Sequence, residues 1–585
     1  MTSFSIRRFS FDDTWRAGPV REQKLSNWPV VYVLHDGAHR SNGQVYIGET
    51  LSLSSRMRQH LDSSEKESLT GVEVILDETF NKSVCLDLES HLIKLAAGDG
   101  SRAVLNRNDG VVDADYYERP RYRQVFNSIF EELRELGLFE RTIPEIINSA
   151  LFKLSPFKSL THDQAAAVED ILEGLSADLQ SHTHPRSVAV IQGDPGTGKT
   201  VVGIYLMKLM VDLAHARDAD SVDRDTMFSE FFLPGHREAF EGLRVGLVVP
   251  QQSLRKSIKA VFANTPGLTP SMVMTMFDVA DSEEEFDVLI IDEAHRLSQY
   301  AMQAHGSLTK RYRDVNARLF HGQRPEASQL EWARNRAKHV ILLLDSGQSV
   351  RPGDISKAEF DALLDELQAS ERKPYRLFTQ MRSQGGNDYI DYVRQILSHT
   401  PPPQRLDFGD YEVGLVEDPA QLQQLITQKE REAGLARVVA GYAWPWISKR
   451  DNTKFDIDLG PGATWQWNTT PVDWVNSPTS VNEAGSIHTI QGYDLNYAGV
   501  IIGRDLRYDA DTKKLFIDRN IYFDVAGKRN NTMAGVETTD DMLFRYITNI
   551  YTVLLTRGIK GTFIHAVDPG LQQIPRQVPA HALSP

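Results

Sequence analysis

Cysteine is almost absent from this 585-residue chain, with Cys85 standing alone. A single thiol excludes an internal disulfide framework and fits a reducing compartment; between Val84 and Leu86 it reads as a small core residue, not a nucleophile. Long apolar runs are missing too. No stretch of about 18 apolar residues is available to span a bilayer, and Met1-Thr2-Ser3-Phe4-Ser5-Ile6-Arg7-Arg8 lacks the apolar core of a secretory signal. These absences predict a cytoplasmic protein with no membrane partner. Positive charge is in deficit: 64 Lys and Arg face 79 Asp and Glu, for a formal net charge of −15. That argues against a surface coated for nucleic acid but leaves room for a local basic cleft, because the sum averages over patches. No internal repeat or long low-complexity tract is present. With 41% hydrophobic residues the composition is ordinary, and the length predicts about three or four domains or subdomains.

What the chain does contain is Gly193-Asp194-Pro195-Gly196-Thr197-Gly198-Lys199-Thr200, between the apolar run Val188-Ala189-Val190-Ile191 and the helix-like Val201-Val202-Gly203-Ile204-Tyr205-Leu206. This is a P-loop in its strand-to-helix context. Its glycines let backbone N–H groups curl round nucleotide phosphates, Lys199 reaches the outer phosphates, and the Thr200 hydroxyl is placed for Mg²⁺. Downstream, Phe286-Asp287-Val288-Leu289-Ile290-Ile291-Asp292-Glu293-Ala294-His295 reads as a buried strand ending in two acids. In that Walker B pattern Asp292 holds the Mg²⁺ water shell and Glu293 orients and deprotonates the attacking water. A further strand, Val340 to Leu344, leads into Asp345-Ser346-Gly347-Gln348, where Gln348 is expected to sense the γ-phosphate.

From Leu160 onward the motifs follow one order, and residues 158 to 570 resemble a superfamily 1 helicase. Leu160-Thr161-His162-Asp163-Gln164 is similar to the element whose glutamine recognises adenine, which implies that role for Gln164. Leu247-Val248-Val249-Pro250-Gln251 and Met274-Thr275-Met276 look like strand-end segments that touch a single strand. Gln380-Met381-Arg382-Ser383 implies a γ-phosphate contact for Arg382. His488-Thr489-Ile490-Gln491-Gly492-Tyr493-Asp494 resembles the Gln-Gly motif that couples nucleotide to nucleic acid, with Asp494 where many relatives carry Glu. Val553-Leu554-Leu555-Thr556-Arg557-Gly558 implies a second arginine finger at Arg557. Gly441-Tyr442-Ala443-Trp444-Pro445-Trp446 and the Asp-Glu-Ala-His-Arg form of Walker B narrow the resemblance to the Schlafen-type group of bacterial helicase-like ATPases. The gaps at 296–338 and 384–480 leave room for modest insertions only, which favours translocation or short-range remodelling over processive unwinding.

The front of the chain is organised differently. Val30-Val31-Tyr32-Val33-Leu34, a polar turn, Val45-Tyr46-Ile47-Gly48 and a helix-like segment carrying Arg56 and His60 resemble the GIY-YIG nuclease domain, with Val30 replacing the first glycine. The resemblance implies a metal ligand at Glu89, in Leu86-Asp87-Leu88-Glu89, and a trailing asparagine at Asn106. In phosphodiester hydrolysis, Glu89 would bind one Mg²⁺, or Mn²⁺ as an alternative, and Arg56 would neutralise the pentacovalent phosphate. Tyr46 or Tyr32 would orient or deprotonate the water, and a phenol with an ordinary pKa near 10 needs help to act as a base.

Residues 116–157 alternate aromatic, apolar and charged positions and read as connecting helices. His182-Thr183-His184-Pro185 reads as a solvent loop, having no further metal ligands at suitable spacing. Trp465, Trp467 and Trp474 could stack on unpaired bases, with strand-core packing the better reading. The expected fold is α/β: a small α+β GIY-YIG nuclease domain followed by two RecA-like P-loop motor domains. The expected boundaries are an extension over 1–25, the nuclease-like domain over 26–115, a helical connector over 116–157, motor domains over 158–352 and 353–574, and a tail over 575–585. The resemblances together imply an ATP- and Mg²⁺-dependent translocase fused to a metal-dependent endonuclease acting on DNA, with RNA left open, in bacterial antiviral defence. Repair or recombination, and an ATP-switched sensor whose nuclease-like domain only binds DNA, are the alternatives. Oligomeric state and any other defence proteins as partners stay open.

Overall fold

The structure is a computed structural model. It describes residues 4–17, 23–37, 43–106, 115–180, 186–216, 228–233, 235–300, 306–345, 354–369, 373–379, 384–399, 401, 407–470, 474–490, 493–524, 528 and 537–573. The chain divides into two compact units: residues 1–185, 200–247 and 257–273 form one, and residues 186–199, 248–256 and 274–585 the other.

The first unit is built on a five-stranded sheet of β1 (Phe4–Ser10), β2 (Val30–His35), β3 (Gly43–Thr50), β4 (Gly71–Asp77) and β5 (Arg102–Val104), in the order β1-β4-β2-β3-β5. β2 is buried along its whole length, as its Val-rich run requires of a strand covered on both faces. Two findings revise the expected boundaries. Residues 4–10, placed by sequence in an extension, pair antiparallel with β4 from Phe4↔Asp77 to Ser10↔Gly71 and form the sheet's edge. Arg7 and Arg8 obscured that strand, and charge is what an edge tolerates. Likewise the segment read as a connector is core: Phe126, Ile129, Phe130 and Leu133 of the helix Arg119–Glu135 pack in one cluster with Val31, Ile47 and Leu88. Cys85 is buried in the same cluster, where burial pushes its thiol well above its ordinary pKa, as a core role requires.

A second sheet contains β6 (Ser187–Gly193), β7 (Val245–Val248), β8 (Val273–Met274), β9 (Phe286–Ile291), β10 (Ala337–Leu344) and β11 (Tyr375–Leu377), in the order β11-β6-β10-β9-β7-β8. β6, β9, β10 and β11 are mutually parallel where they pair. The third sheet holds β12 (Glu412–Leu415), β13 (Ala436–Ala440), β14 (Ile457–Asp458), β15 (Thr464–Trp467), β16 (Glu483–Gly485), β17 (Leu495–Ile502) and, after a small hairpin of β18 (Leu506–Asp509) and β19 (Lys514–Ile517), β20 (Gly558–Ala566). Its order is β12-β20-β17-β13-β16-β15-β14, parallel except where β14 meets β15. All eight residues of β17 are buried, again the mark of a parallel strand covered on both faces. Trp465, Trp467 and Trp474 are 1%, 2% and 0% exposed; all three fill cores, and base stacking is excluded for them. Core packing, the reading the sequence favoured for them, holds.

Candidate functional site

Among the described residues, two clusters gather side chains singled out by sequence. In the first unit, antiparallel pairing sets Tyr32 opposite Gly48 and Leu34 opposite Tyr46. Tyr32 and Tyr46 are therefore diagonal neighbours on one face of the sheet, with ring centroids 6.3 Å apart. Gly48 is needed opposite Tyr32: a Cβ there would lie 2.3 Å from the Tyr32 hydroxyl.

The helix Leu53–Leu61 brings two more groups to that face. Arg56 Nε donates to Tyr32 Oη at 3.3 Å, and His60 Nε2 lies 2.7 Å from the same oxygen. Lys66 Nζ is 2.8 Å from His60 Nδ1 and 3.8 Å from the centre of the Tyr46 ring. Burial, with Lys66 and Arg56 adding to it, pushes the His60 pKa down to about 2, so the ring is neutral. An ammonium has no acceptor; Lys66 therefore donates to Nδ1, and the imidazole proton sits on Nε2, facing Tyr32. Tyr32 Oη thus accepts from His60 and Arg56. Its own pKa is raised well above the ordinary value, first by burial and then by Tyr46 and Glu89, against the pull of Arg56. At neutral pH Tyr32 is a protonated donor.

Glu89 lies half-buried on the helix Lys82–Asp99, near enough for its charge to act on Tyr32. The described residues hold one group of three acids within 4.8 Å, Glu169, Glu173 and Glu230, and Glu89 is outside it. A carboxylate is the ligand type that suits a hard cation keeping most of its water. Asn106 holds the strand: its Oδ1 accepts from Ile47 N at 3.1 Å and its Nδ2 donates to Ile47 O at 2.7 Å. It positions β3, and hence Tyr46.

The second cluster lies at the carboxyl ends of β6, β9 and β10, where open parallel sheets bind ligands. After β6 the chain turns through Gly196 and Gly198, with φ of +90° and +78°, a region that glycine enters without strain. Gly193 has no room for a side chain, since a Cβ would lie 2.4 Å from Thr197 Oγ1. Lys199 Nζ donates to Gly193 O at 2.6 Å and Asp194 O at 2.9 Å, and lies 3.7 Å from Asp345 Oδ2. Pro195 and Thr197 are buried within the loop, and Thr200 follows Lys199 at the start of the helix Lys199–His215.

Asp292 is 1% exposed and accepts from Glu293 N at 2.9 Å. Glu293 is a non-glycine residue at φ +47°, the kind of backbone strain that clusters at functional sites. His295 Nδ1 accepts from Asp345 N at 3.3 Å, and its Nε2 is 3.0 Å from Glu293 Oε2. Burial opposes ionisation of Glu293, but His295, Arg296 and Lys199 together hold its carboxyl well below the usual range. Arg394, on the helix Gly386–Ile396, forks onto Asp194 at 2.5 and 3.0 Å. Arg557 is buried and donates to Tyr493 O at 3.2 Å, next to Asp494. Gln164 is fully buried in the first unit, where its Oε1 accepts from Thr161 N at 3.0 Å.

A phosphate-shaped glycine loop and a buried oxygen donor at Asp292 suit a nucleotide with a hard cation. Gln348, Arg382, Gln491, Gly492 and the His182–His184 stretch lie outside the described residues. Sequence reasoning missed Lys66, His295 and Arg394. His295 was visible three residues after Asp292; Lys66 and Arg394 follow no local period, and only folding brings them in.

This loop, strand and acid arrangement is that of a P-loop nucleoside triphosphatase. Residues 186–568 match the family "Schlafen group 3, DNA/RNA helicase domain", and the chain belongs to that family. It is also similar to "Uncharacterized protein YPL245W" of Saccharomyces cerevisiae, 26% identical over 463 residues that cover 74% of this chain and 93% of the relative. Among solved structures it has a likeness to Bacteroides Pif1 bound to ssDNA, with 11% identity, 71% of this chain and 94% of that one covered, and a TM-score of 0.25. Another is Dbp5 of S. cerevisiae bound to RNA and ADP BeF3, with 12% identity, 73% and 90% covered, and a TM-score of 0.25. Among the described residues no helix is long and apolar enough to cross a membrane.

Proposed function

We propose that the chain is an ATP-driven nucleic-acid translocase joined to a metal-dependent phosphodiesterase. The motor half of the reading rests on helicase-family membership and on one observation above others: Lys199, Glu293, His295 and Asp345 meet at the carboxyl ends of adjacent parallel strands. Lys199 leaves its present contacts with the loop carbonyls to bind the outer phosphates. Glu293, held by His295, orients the attacking water, and Arg382 and Arg557 carry the finger roles that the helicase resemblance implies. The helicase resemblance gives Gln164 the adenine, Gln348 the sensing of the γ-phosphate, and Gln491, Gly492 and Asp494 the coupling of nucleotide to strand. The P-loop and Walker B patterns imply Thr200 and Asp292 as the holders of Mg²⁺, which would neutralise phosphate charge. The test is phosphate release with and without single-stranded DNA or RNA, in wild type and Lys199→Ala. Nucleic-acid-stimulated hydrolysis that vanishes in the variant supports the motor; hydrolysis indifferent to both strands counts against translocation.

The nuclease half is supported by the convergence of Tyr32, Arg56, His60 and Tyr46 on one face, with the charge of Glu89 in range. With Tyr32 kept protonated, it serves as a donor, and Tyr46, once ionised to its phenolate, is the group that takes the water's proton. Glu89 holds Mg²⁺ or Mn²⁺, which supplies Lewis acidity at the phosphate. Plasmid and single-stranded DNA incubated with either metal separate the outcomes: cutting lost in Glu89→Ala supports a nuclease, and no cutting by wild type returns the first unit to a DNA-binding role. Defence against invading DNA is the biological setting we assign. Unchanged phage plating on cells expressing wild type, Lys199→Ala or Glu89→Ala would remove it.

A further inference from the structure

Three of the large apolar side chains most exposed in the described residues lie within one ten-residue stretch: Trp446 and Ile447 are each 41% exposed and Phe455 is 52% exposed. Between and beside them stand Lys449, Arg450 and Lys454, all exposed. One acid, Asp451, lies 3.9 Å from Lys454. The stretch is therefore cationic on a chain whose net charge is −15. It leaves the carboxyl end of β13, where the neighbouring Trp444 still packs into a core.

The exposure is built in, and it is not the looseness of a free loop. Asp456 is buried and accepts from Ile447 N at 2.5 Å, Ser448 N at 2.7 Å, Ser448 Oγ at 2.5 Å and Trp467 N at 2.7 Å. Gln466 Nε2 donates to Asn452 O at 2.6 Å and Lys454 O at 2.9 Å. Lys449 Nζ is 5.4 Å from the centre of the Trp446 ring. So a pinned loop holds two aromatic rings in water, with cations beside them. Solvent-facing aromatics are unfavourable unless something covers them. Flat rings interleaved with cations fit a ligand that alternates bases with phosphates.

We propose that this loop is a stacking platform for single-stranded nucleic acid, with Trp446 and Phe455 receiving bases and Lys449, Arg450 and Lys454 holding the phosphates between them. The proposal rests on the motor reading above and assigns it a contact surface. The experiment is fluorescence anisotropy of labelled thymidine and uridine homo-oligonucleotides over a salt series, on the full chain. Trp446→Ala combined with Phe455→Ala weakens binding by about 5- to 150-fold for each base unstacked, and Trp446→Phe restores most of the loss at its position. Lys449→Ala with Arg450→Ala makes the dependence of log affinity on log salt shallower by about 1.4. Melting temperature and ATP hydrolysis without nucleic acid stay at wild-type values. Wild-type affinity in both double variants overturns the platform while leaving the motor reading standing. Loss of self-association in place of oligonucleotide binding also overturns it, in favour of a second copy of the chain. A wild-type chain that binds neither oligonucleotide removes both readings.

Discussion

Around Tyr32 the charged neighbours on the helix side are donors, Arg56 directly and Lys66 through His60, and the result is a neutral imidazole and a protonated phenol. Around Lys199 the balance is opposite: the ammonium faces two loop carbonyls and the Asp345 carboxylate, with Glu293 close by. In the first cluster the donors already converge on Tyr32 Oη and His60. In the second, Lys199 is held by the loop carbonyls, so a bound polyphosphate would exchange those contacts for its own, as a nucleotide-driven switch is expected to do.

The strongest way to test this contrast is to remove one reactive group from each cluster. Glu293→Gln is expected to lower the rate of ATP hydrolysis by about 10²–10⁴-fold, the range for a positioned base, with nucleotide affinity nearly unchanged and metal-dependent cutting intact. Arg56→Ala should cost cutting about 10²–10³-fold, as loss of one charge-stabilising donor does, with ATP hydrolysis intact. If either variant disables both reactions, the two sites are not separable.

Gly48→Ala comes next. Overpacking against Tyr32 should cost about 1–3 kcal/mol, read as a lower denaturation midpoint confined to the first unit, with cutting impaired through Tyr32.

Titration sharpens the contrast further. His60 has its folded pKa depressed to about 2 from an ordinary 6.5 or so, so the unfolded chain binds more protons between those values. Its contribution to stability is complete above about pH 6.5 and is lost as pH falls toward 2. Asp505 runs the other way. Burial lifts its pKa to about 7, although Tyr551 donates to it at 2.6 Å. That contribution is present below about pH 3.8 and is lost as pH rises toward 7. Denaturant midpoints measured from pH 4 to 7 should therefore rise less steeply in His60→Gln than in wild type, and more steeply in Asp505→Asn. Parallel curves would show that neither group is as buried on folding as its surroundings imply.

The smallest effect belongs to Arg394→Ala. Its pair with Asp194 is about 40–47% exposed, and a solvent-screened pair contributes about 1 kcal/mol or less. Nucleotide affinity measured alongside Asp194→Asn should change by no more than a few-fold.

The glycine loop, the acid-ended strand and the paired tyrosine strands were legible because each is a local pattern whose geometry follows from a short run of residues. Gly193 to Thr200 must turn, Phe286 to Ile291 must be buried, and Tyr32 and Tyr46 must share a face once their strands pair. The core packing of Trp465, Trp467 and Trp474 was legible as the favoured reading, but not which core each one fills. Nor could sequence show that Asn106 spends its amide on the Ile47 backbone, or that residues 4–10 and 119–135 complete the first unit's sheet and core. By itself the sequence determined which chemistry is carried, since phosphate loops and acid pairs depend on residue type and near neighbours. Only the tertiary structure decided protonation and exposure: Lys66 beside His60, His295 beside Glu293 and Trp446 in solvent depend on burial and on partners distant in the chain, and both are set by packing.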